Sequence, residues 1–356
     1  MKFAVIGAGS GGQCMAAHLT QLGHEAVLYD IDQQKLHALQ KRGEILLENK
    51  LTGAYRIACI TSDIQVAVTR ADFVMVVTTT DAHGAVAEAM APYIRPEQIV
   101  VLHPGHCGGA VCFAAALQKS GCQELPHIAE CQTLIYGCRQ IEIGHIFVTG
   151  IKKTVLLAAY PSKDTELILK KISPVYQQFR GAASVLETSM SISGCLMHVI
   201  PTLMNTNRID AGEPFDFYME GITPHIAGLI EDADQERVAV AEKLGVHVKN
   251  LREWLKDAYG LQPDTLYHML QANEAYRGSA GPKDFNHRFV MEEVTGGFVP
   301  LSALGQICGI PTPVIDLFIQ LAARICGKDF LWIGRTVENM GLTGKSMEEV
   351  IDLMTK

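Results

Sequence analysis

The sequence predicts an α/β domain, in which a parallel sheet is covered by helices on both faces, followed by a mostly α-helical second domain. In the first half of the chain, short β-branched runs alternate with amphipathic helical stretches, a pattern typical of parallel sheets. From about Gly181 onward the β-branched runs stop and helical periodicity takes over. The chain has 356 residues, which exceeds the size at which a single hydrophobic core keeps growing. We therefore predict two domains, residues 1–181 and residues 182–356.

The individual elements are predicted from hydrophobic period and from the turn residues between them. Short apolar runs indicate strands at 2–6, 25–29, 72–77 and 98–102, with further strands near 143–148 and 153–159. Helical periodicity indicates helices at 11–22, 32–42, 81–93 and 108–119. Residues 44–48 and 56–61 flank a turn that contains Leu-Thr-Gly and are expected to form an inserted hairpin. Residues 189–205 are expected to be helical, with Pro201 kinking the helix or starting a new one beside His198.

The first predicted strand runs directly into a glycine-rich turn. Residues 7–12 read Gly-Ala-Gly-Ser-Gly-Gly, so Gly7, Gly9 and Gly12 have the spacing of a dinucleotide-binding turn. Gly7 permits the tight turn, Gly9 lets the backbone approach a pyrophosphate, and Gly12 lets the next helix pack closely. The amides at the start of that helix face the phosphates. A Rossmann-type domain is therefore expected, with these cofactor-binding residues: Gly7, Gly9, Ser10, Gly11, Gly12 and Asp30.

Asp30 predicts the choice of cofactor. It follows the second strand and lies 18 residues after Gly12, near the spacing of about 20 expected for the acid that binds a ribose 2′-hydroxyl. A carboxylate there repels a 2′-phosphate, and Ile31 offers no positive charge to compensate. NAD is therefore favoured over NADP.

Composition narrows the class of protein. A formal net charge of −8 argues against nucleic acid as a partner. The apolar runs fall far short of the ~20 residues that a membrane helix needs, and no targeting signal is evident, so a cytoplasmic location is expected. Ten cysteines are scattered without a CxxC pair, which indicates reduced thiols.

One cluster allows two interpretations. His103, His106, Cys107 and Cys112 are all potential zinc ligands, but their spacing matches no standard zinc pattern. The alternative is a strand end that turns into a glycine-rich loop facing the cofactor. We expect the loop and predict no metal site.

The second predicted domain carries the candidates for chemistry. His198 lies in an apolar helical segment and is either a general acid and base or a satisfied core histidine. In the segment 286–300, Arg288 could grip a substrate carboxylate and an acid could orient His198. The other interpretation is an ordinary Arg/Glu pair on the surface. From the residues alone both interpretations stay open.

Taken together with the glycine turn, these segments resemble the opine dehydrogenases, and the resemblance spans nearly the full chain. The matching stretches are Gly7-Ala-Gly-Ser-Gly-Gly12, Asp30-Ile-Asp32, His103-Pro-Gly, Met197-His198, Pro201-Thr-Leu-Met-Asn205, Tyr218-Met-Glu-Gly-Ile-Thr-Pro224, Ala275-Tyr-Arg-Gly278, Ala280-Gly-Pro282, Gly297-Phe-Val-Pro-Leu-Ser302 and Pro311-Thr-Pro-Val-Ile-Asp316.

This resemblance implies a reaction and a set of roles. An α-keto acid, typically pyruvate, would condense with the amino group of an L-amino acid, and NADH would reduce the resulting imine. The catalytic histidine of the family falls on His198, its acidic partner on Glu293 and its keto-acid-binding arginine on Arg288. Gln132 and Cys138 fall on a wall of the amino-acid pocket.

Two departures from the family pattern concern geometry and substrate. Where the family usually has Glu-Asp, this chain has Glu292-Glu293, so the acidic partner is one methylene longer. His103 and His106 stand where relatives commonly carry smaller or amide side chains.

Two alternative functions remain. A ketopantoate-reductase-like or other hydroxy-acid dehydrogenase would rely on a lysine in the first long helix of the second domain, and residues 187–205 contain none. A non-catalytic NAD-sensing protein on the same fold would not need His198 together with Arg288 and Glu293. The identity of the two substrates and the oligomeric state, with a homodimer as one option, are left open.

Overall fold

The computed structural model describes residues 1–262 and 264–356, which divide into two compact units. The first unit comprises Met1–Thr188 together with Met354–Lys356, and the second comprises Ser189–Leu353.

The first unit is an α/β structure. Its strands are β1 (Lys2–Ile6), β2 (Glu25–Tyr29), β3 (Ile45–Asn49), β4 (Gly53–Tyr55), β5 (Cys59–Thr61), β6 (Phe73–Val76), β7 (Ile99–Leu102), β8 (His127–Cys131), β9 (Tyr136–Glu142), β10 (His145–Ile151), β11 (Val155–Tyr160) and β12 (Phe179–Gly181). Its helices are α1 (Ser10–Gln21), α2 (Gln33–Arg42), α3 (Ile64–Val68), α4 (His83–Met90), α5 (Gly109–Lys119) and α6 (Thr165–Ile172), and α7 (Val185–Met190) spans the end of the unit. Short 3₁₀ turns at Thr80–Ala82 and Ser162–Asp164 precede α4 and α6.

The main sheet explains where a ligand would bind. Its order is β12-β11-β8-β7-β6-β1-β2-β5, and every neighbouring pair is parallel except β8 with β11. Read from β5, the first six strands follow the 3-2-1-4-5-6 order of a doubly wound fold. The order reverses between β1 and β6, and in such sheets ligands bind beyond the carboxyl ends of the strands at this point. The glycine turn begins there, directly after β1.

A second, four-stranded sheet with the order β4-β3-β10-β9 packs against α1. Its strand pairing differs from that of the predicted hairpin. β3 pairs with Gly53–Tyr55, not with residues 56–61. Asn49, the last residue of β3, has a left-handed backbone with φ of 82°, and the return strand starts after a three-residue turn, at Gly53. β5 instead joins the edge of the main sheet beside β2.

The second unit is built from helices. They are α8 (Gly194–Met204), α9 (Thr206–Asp210), α10 (Pro224–Lys243), α11 (Leu251–Tyr259), α12 (Leu266–Ala272), α13 (Arg288–Glu293), α14 (Val299–Cys308), α15 (Pro313–Cys326) and α16 (Phe330–Ile333), with a π-helical turn at Val294–Phe298. The last helix, α17 (Met347–Thr355), spans the end of the unit. The predicted fold class, a Rossmann-type domain followed by a mostly helical one, is confirmed. No helix within the described residues combines the length and the apolar character needed to cross a bilayer.

The predicted helix over 189–205 is two helices. α7 ends at Met190, and α8 starts at Gly194 after a short break. Pro201 lies inside α8 together with His198, so no new helix begins beside the histidine.

Candidate active site and cofactor site

The glycine turn has the geometry that a bound pyrophosphate requires. Gly7 has φ of +104°, which favours glycine, and a Cβ on Gly12 would lie 1.7 Å from the carbonyl oxygen of Gly7. A Cβ on Gly11 would meet Leu134 at 2.8 Å. Gly9 differs, because a Cβ there would meet nothing within 4 Å. Glycine is therefore required at Gly7 by its backbone angle and at Gly12 by the backbone it packs against, whereas a Cβ on Gly11 meets only side-chain atoms. Gly9 is the residue before the first turn of α1, a position where an anion is favoured.

The Asp30 carboxylate lies beside this turn. Its Oδ2 atom accepts hydrogen bonds from the Ala8 amide at 2.7 Å and from Lys35 Nζ at 3.0 Å. Its Oδ1 atom accepts a hydrogen bond from the Asp32 amide at 2.9 Å. Burial acts to raise the pKa of Asp30, but the two amides and Lys35 outweigh it, so the pKa lies below the usual value and the carboxylate is ionised at neutral pH.

These residues fit NAD. A carboxylate accepts about four hydrogen bonds, and three donors reach Asp30 from the described residues, so one acceptor position remains for a ribose hydroxyl. Ser10 is partly exposed in the first turn of α1, where amides lack partners within the helix.

Gln132 is the first residue of the short connection between β8 and β9, and Cys138 lies in β9. The Gln132 side-chain oxygen accepts a hydrogen bond from the Leu156 amide at 3.0 Å, so the amide oxygen of this side chain is already used within the fold. The Cys138 thiol is hydrogen-bonded to Cys14 of α1, and this contact together with burial raises the pKa of Cys14. The segment that holds both residues thus consists of a short connection and the first residues of a strand.

The histidine-containing loop after β7 is buried. His103 is 2% exposed, and neither of its ring nitrogens has a hydrogen-bond partner among the described residues. Burial lowers the pKa of His103 to about 3, so the imidazole is neutral. No group of three or more His, Cys, Asp or Glu residues in the described part of the chain is placed to hold a metal ion.

His198 and Glu293 are in direct contact in the second unit. His198 lies in α8 and Glu293 at the end of α13, and the distance between His198 Nδ1 and Glu293 Oε1 is 2.7 Å. The side chains are 12% and 3% exposed. Phe289 stacks on the imidazole, with ring centroids 4.0 Å apart and planes inclined by 10°. The structure therefore favours an acid–histidine pair over an isolated core histidine.

Two glycines allow this pair to form. Gly194 lies one turn before His198, and a Cβ there would come within 3.1 Å of Glu293 Oε1. Gly297 lies in the π-helical turn after α13, where a Cβ would come within 2.5 Å of the Cβ of Cys195. Since neither glycine carries a side chain, α13 and α8 approach closely enough for the longer acid Glu293 to meet the imidazole. Single π-helical turns of this kind are frequent at functional sites.

Tyr218 completes the group. Its hydroxyl lies 3.0 Å from His198 Nε2, and its ring stacks on Tyr276 with centroids 4.4 Å apart. Its backbone carbonyl accepts a hydrogen bond from the Gln271 side chain. Burial raises the pKa of Tyr218 well above its ordinary value, so the hydroxyl keeps its proton at neutral pH. Both nitrogens of His198 therefore have oxygen partners, one an acid and one a phenol.

Sequence reasoning did not select Tyr218 as a site residue. Tyr218 is 20 residues from His198, and no spacing rule connects the two. The available signal was its place in the segment from Tyr218 to Pro224, which carries the family resemblance.

Arg288 opens α13 on the same helix as Glu293. Its guanidinium Nη1 donates to Glu292 Oε2 at 3.2 Å, and its side chain is 55% exposed while that of Glu292 is 3% exposed. The arginine is thus anchored by a buried acid and presents the rest of its planar fork outward. A fork of this kind suits bidentate binding of a carboxylate.

A Rossmann-type domain with a fitting NAD site, joined to a helical unit that carries an acid–histidine pair and an anchored arginine, defines an NAD-dependent oxidoreductase. Comparisons with known proteins agree. Residues 2–105 match the family model described as NAD-dependent glycerol-3-phosphate dehydrogenase N-terminus, and residues 181–326 match that described as NAD/NADP octopine/nopaline dehydrogenase, alpha-helical domain.

An opine dehydrogenase of Arthrobacter sp. (strain 1C) is 38% identical over 343 residues, covering 96% of this chain and 95% of the relative. The octopine dehydrogenase of Mizuhopecten yessoensis is 26% identical and covers 81% of this chain and 76% of its own. The solved structure of an octopine dehydrogenase in complex with NADH and agmatine superposes with a TM-score of 0.79 at 21% identity, covering 99% of this chain and 98% of that one. The chain belongs to the opine dehydrogenase family.

Proposed function

We propose that this enzyme condenses an α-keto acid, with pyruvate favoured, with the amino group of an L-amino acid and reduces the product with NADH to an N-(1-carboxyalkyl)-amino acid. The observation that carries the proposal is the buried contact between His198 and Glu293, with Arg288 on the same helix as the acid. This group supplies what an imine-forming and imine-reducing site requires, namely a proton donor and acceptor and a carboxylate anchor. NADH supplies the hydride when it is bound in the first unit.

Arg288 binds the keto-acid carboxylate in this proposal. Glu292 holds one side of the guanidinium, which leaves the outward N–H groups for the substrate. Holding the keto acid in one orientation converts an encounter between two molecules into a positioned reaction, which can contribute several kcal/mol to catalysis, up to about 7–11 in well-oriented model systems.

His198 moves the protons. When the amine adds to the keto carbon, its nitrogen loses a proton and the former carbonyl oxygen gains one. The hydroxyl so formed takes up a second proton and leaves as water, and the resulting iminium carbon accepts the hydride. His198 is the general base and acid for these transfers, with Nε2 as the exchanging nitrogen because Nδ1 faces Glu293. Glu293 keeps Nδ1 protonated and stabilises the imidazolium that forms.

Tyr218 is a positioning residue in this scheme. Its protonated hydroxyl donates to Nε2 of the neutral imidazole and accepts from the imidazolium, so it holds the ring in both states. The substrate oxygen competes with this hydroxyl for Nε2.

Further assignments complete the proposal. Residues 1–181 form the NAD-binding domain, with Gly7, Gly9, Ser10, Gly11, Gly12 and Asp30 as the cofactor contacts. Residues 182–356 form the catalytic domain, with His198 and Glu293 as the catalytic residues. Gln132 and Cys138 line the amino-acid pocket. The side-chain nitrogen of Gln132 is the atom offered to a substrate, since its side-chain oxygen already accepts a hydrogen bond from the Leu156 amide.

The decisive experiment measures NADH oxidation by the purified protein with pyruvate and a panel of L-amino acids, with each component omitted in turn. We expect turnover only when both substrates are present and a product mass equal to their sum less one oxygen. Turnover with a keto acid alone would replace the proposal by the hydroxy-acid dehydrogenase alternative. Tight NADH binding without turnover over the whole panel would favour the NAD-sensing alternative.

A further inference from the structure

Lys35 places a positive charge beside the Asp30 carboxylate, which is proposed to bind the ribose 2′-hydroxyl. It lies in the first turn of α2, and its Nζ is 3.0 Å from Asp30 Oδ2 and 3.9 Å from Asp32 Oδ2. The Lys35 side chain is 25% exposed, so the ammonium is partly withdrawn from water but still reachable. No other cation among the described residues has a salt bridge to Asp30.

This ion pair changes the electrostatic argument for cofactor choice. The aspartate alone repels a 2′-phosphate, and the residue next to it, Ile31, carries no charge. Lys35 is five residues further along the chain, yet it neutralises one of the two aspartate charges at this point. A single ammonium also has three donors, of which Asp30 takes one.

We propose that Lys35 is a specificity-determining residue that lets NADPH bind at the NADH site, with its ammonium taking the 2′-phosphate, while Asp30 keeps NADH preferred. A ribose 2′-phosphate occupies the place of the 2′-hydroxyl that an acid at this position binds. A cation that touches the same acid is therefore within reach of the phosphate. The proposal concerns cofactor binding in the first unit and is independent of the chemistry proposed at His198.

Removing the charge of Lys35 and removing the charge of Asp30 should have opposite effects on NADPH binding. Removing the Lys35 charge leaves two uncompensated aspartates and disfavours NADPH. Removing the Asp30 charge leaves Lys35 with Asp32 at 3.9 Å as its remaining acid partner, which favours NADPH. A purely structural role for the ion pair predicts instead that both substitutions affect NADH and NADPH alike.

The test measures the dissociation constants of NADH and NADPH by nicotinamide fluorescence, without substrates and without reference to turnover. In Lys35→Met, which keeps an unbranched apolar stem, we expect the Kd for NADPH to rise about tenfold and that for NADH to change less than about threefold. In Asp30→Asn we expect the ratio of the two constants to shift at least about tenfold toward NADPH. The double variant should lose that gain.

Matched controls separate charge from folding. Lys41→Met removes an exposed charge from the same helix and should leave the ratio unchanged. Lys35→Arg should retain NADPH binding. Lys35→Gln provides a second neutral variant if the methionine does not fold, as judged by thermal unfolding. The proposal is overturned if, in both neutral variants, the ratio of the Kd values for NADH and NADPH stays within about twofold of the ratio in the unmodified protein.

Discussion

Asp30 and Glu293 are both buried carboxylates, yet their partners reach them over very different distances along the chain. The donors to Asp30 lie 2, 5 and 22 residues away, and two of the three are backbone amides. The histidine that contacts Glu293 lies 95 residues away, and the contact joins two side chains. The Asp30 site is thus built from local backbone geometry, whereas the His198–Glu293 site depends on how two helices pack. A change at the first should therefore affect binding of the cofactor, and a change at the second should affect chemistry.

The largest expected effect is at His198. Since its proton transfers have no substitute, His198→Ala should lower kcat by about 10²–10⁴. The Kd for NADH should stay within about twofold, because the cofactor contacts are proposed to lie in the other unit. Steady-state kinetics and a fluorescence titration provide the two measurements. His225→Ala, which removes an exposed histidine of the same unit, is the control, and normal turnover of His198→Ala would end the proton-transfer role.

Glu293→Gln should lower kcat by about a hundredfold, because the amide keeps the shape of the side chain but no longer stabilises an imidazolium. Glu293→Asp restores the acid of the usual family pattern and should recover most of the activity only if the shorter side chain still reaches Nδ1. Comparing kcat of the two variants separates the effect of the negative charge at position 293 from the effect of the length of its side chain. Equal activity in the glutamine variant and the unmodified protein would show that the buried contact is structural.

The glycine turn offers a matched pair of variants. Gly12→Ala places a methyl 1.7 Å from a carbonyl oxygen and should lower the melting temperature by several degrees. Gly9→Ala meets nothing within 4 Å, so it should fold normally but weaken NADH about tenfold or more. Thermal unfolding and NADH titration measure the two effects. If Gly9→Ala binds NADH normally, the pyrophosphate does not approach Gly9.

We expect His103 to make the stability of the first unit depend on pH. Its pKa is lowered to about 3 by burial, whereas the unfolded chain has an ordinary value of about 6.5, so between these values the unfolded state binds a proton that the folded state does not. The free energy of unfolding is therefore unaffected by His103 above about pH 6.5. Below that pH it falls by about 1.4 kcal/mol per pH unit, because the unfolded chain takes up the proton. Urea unfolding of the protein and of His103→Phe between pH 7 and pH 5 measures the difference in slope.

A phenylalanine at position 103 should remove the part of the slope that His103 contributes, whereas His37→Phe at the exposed surface should leave the slope unchanged. Identical pH dependence of the unmodified protein and His103→Phe would show that the buried imidazole does not control it.

Tyr218→Phe carries the smallest expected effect, a decrease in kcat of about five- to tenfold with unchanged NADH binding, because Nε2 loses one hydrogen bond. A positioning role also predicts a displaced pH profile of kcat, since the hydrogen bond to the imidazolium is charge-assisted and stronger than the one to the neutral imidazole. A lower kcat with an unchanged profile would assign Tyr218 to packing alone.

Much of the first unit could be predicted because its signals are local. The strand, the glycine turn and the acid after β2 lie within 30 residues, and each follows from backbone geometry that the residues themselves impose. The first strand of the hairpin was predicted, but its return strand was wrong, because Gly53–Tyr55, expected in the turn, pairs with β3, and Cys59–Thr61 pairs with β2. β8, β9 and β12 were not predicted, since strands this short or poor in β-branched residues are stabilised by their neighbours in the sheet.

The sequence by itself determined the fold class, the glycine turn and Asp30, because turn geometry and hydrophobic period act over a few residues. It named His198, Glu293 and Arg288 partly through family resemblance and left a surface Arg/Glu pair open. Only the tertiary structure decided that His198 meets Glu293, that Tyr218 occupies the other ring nitrogen and that Lys35 neutralises Asp30. The contacts of His198 depend on the packing of segments far apart in the chain, which Gly194 and Gly297 permit for α8 and α13, and no spacing along the chain encodes these distances. The Lys35 contact depends on the reach of one side chain over five residues.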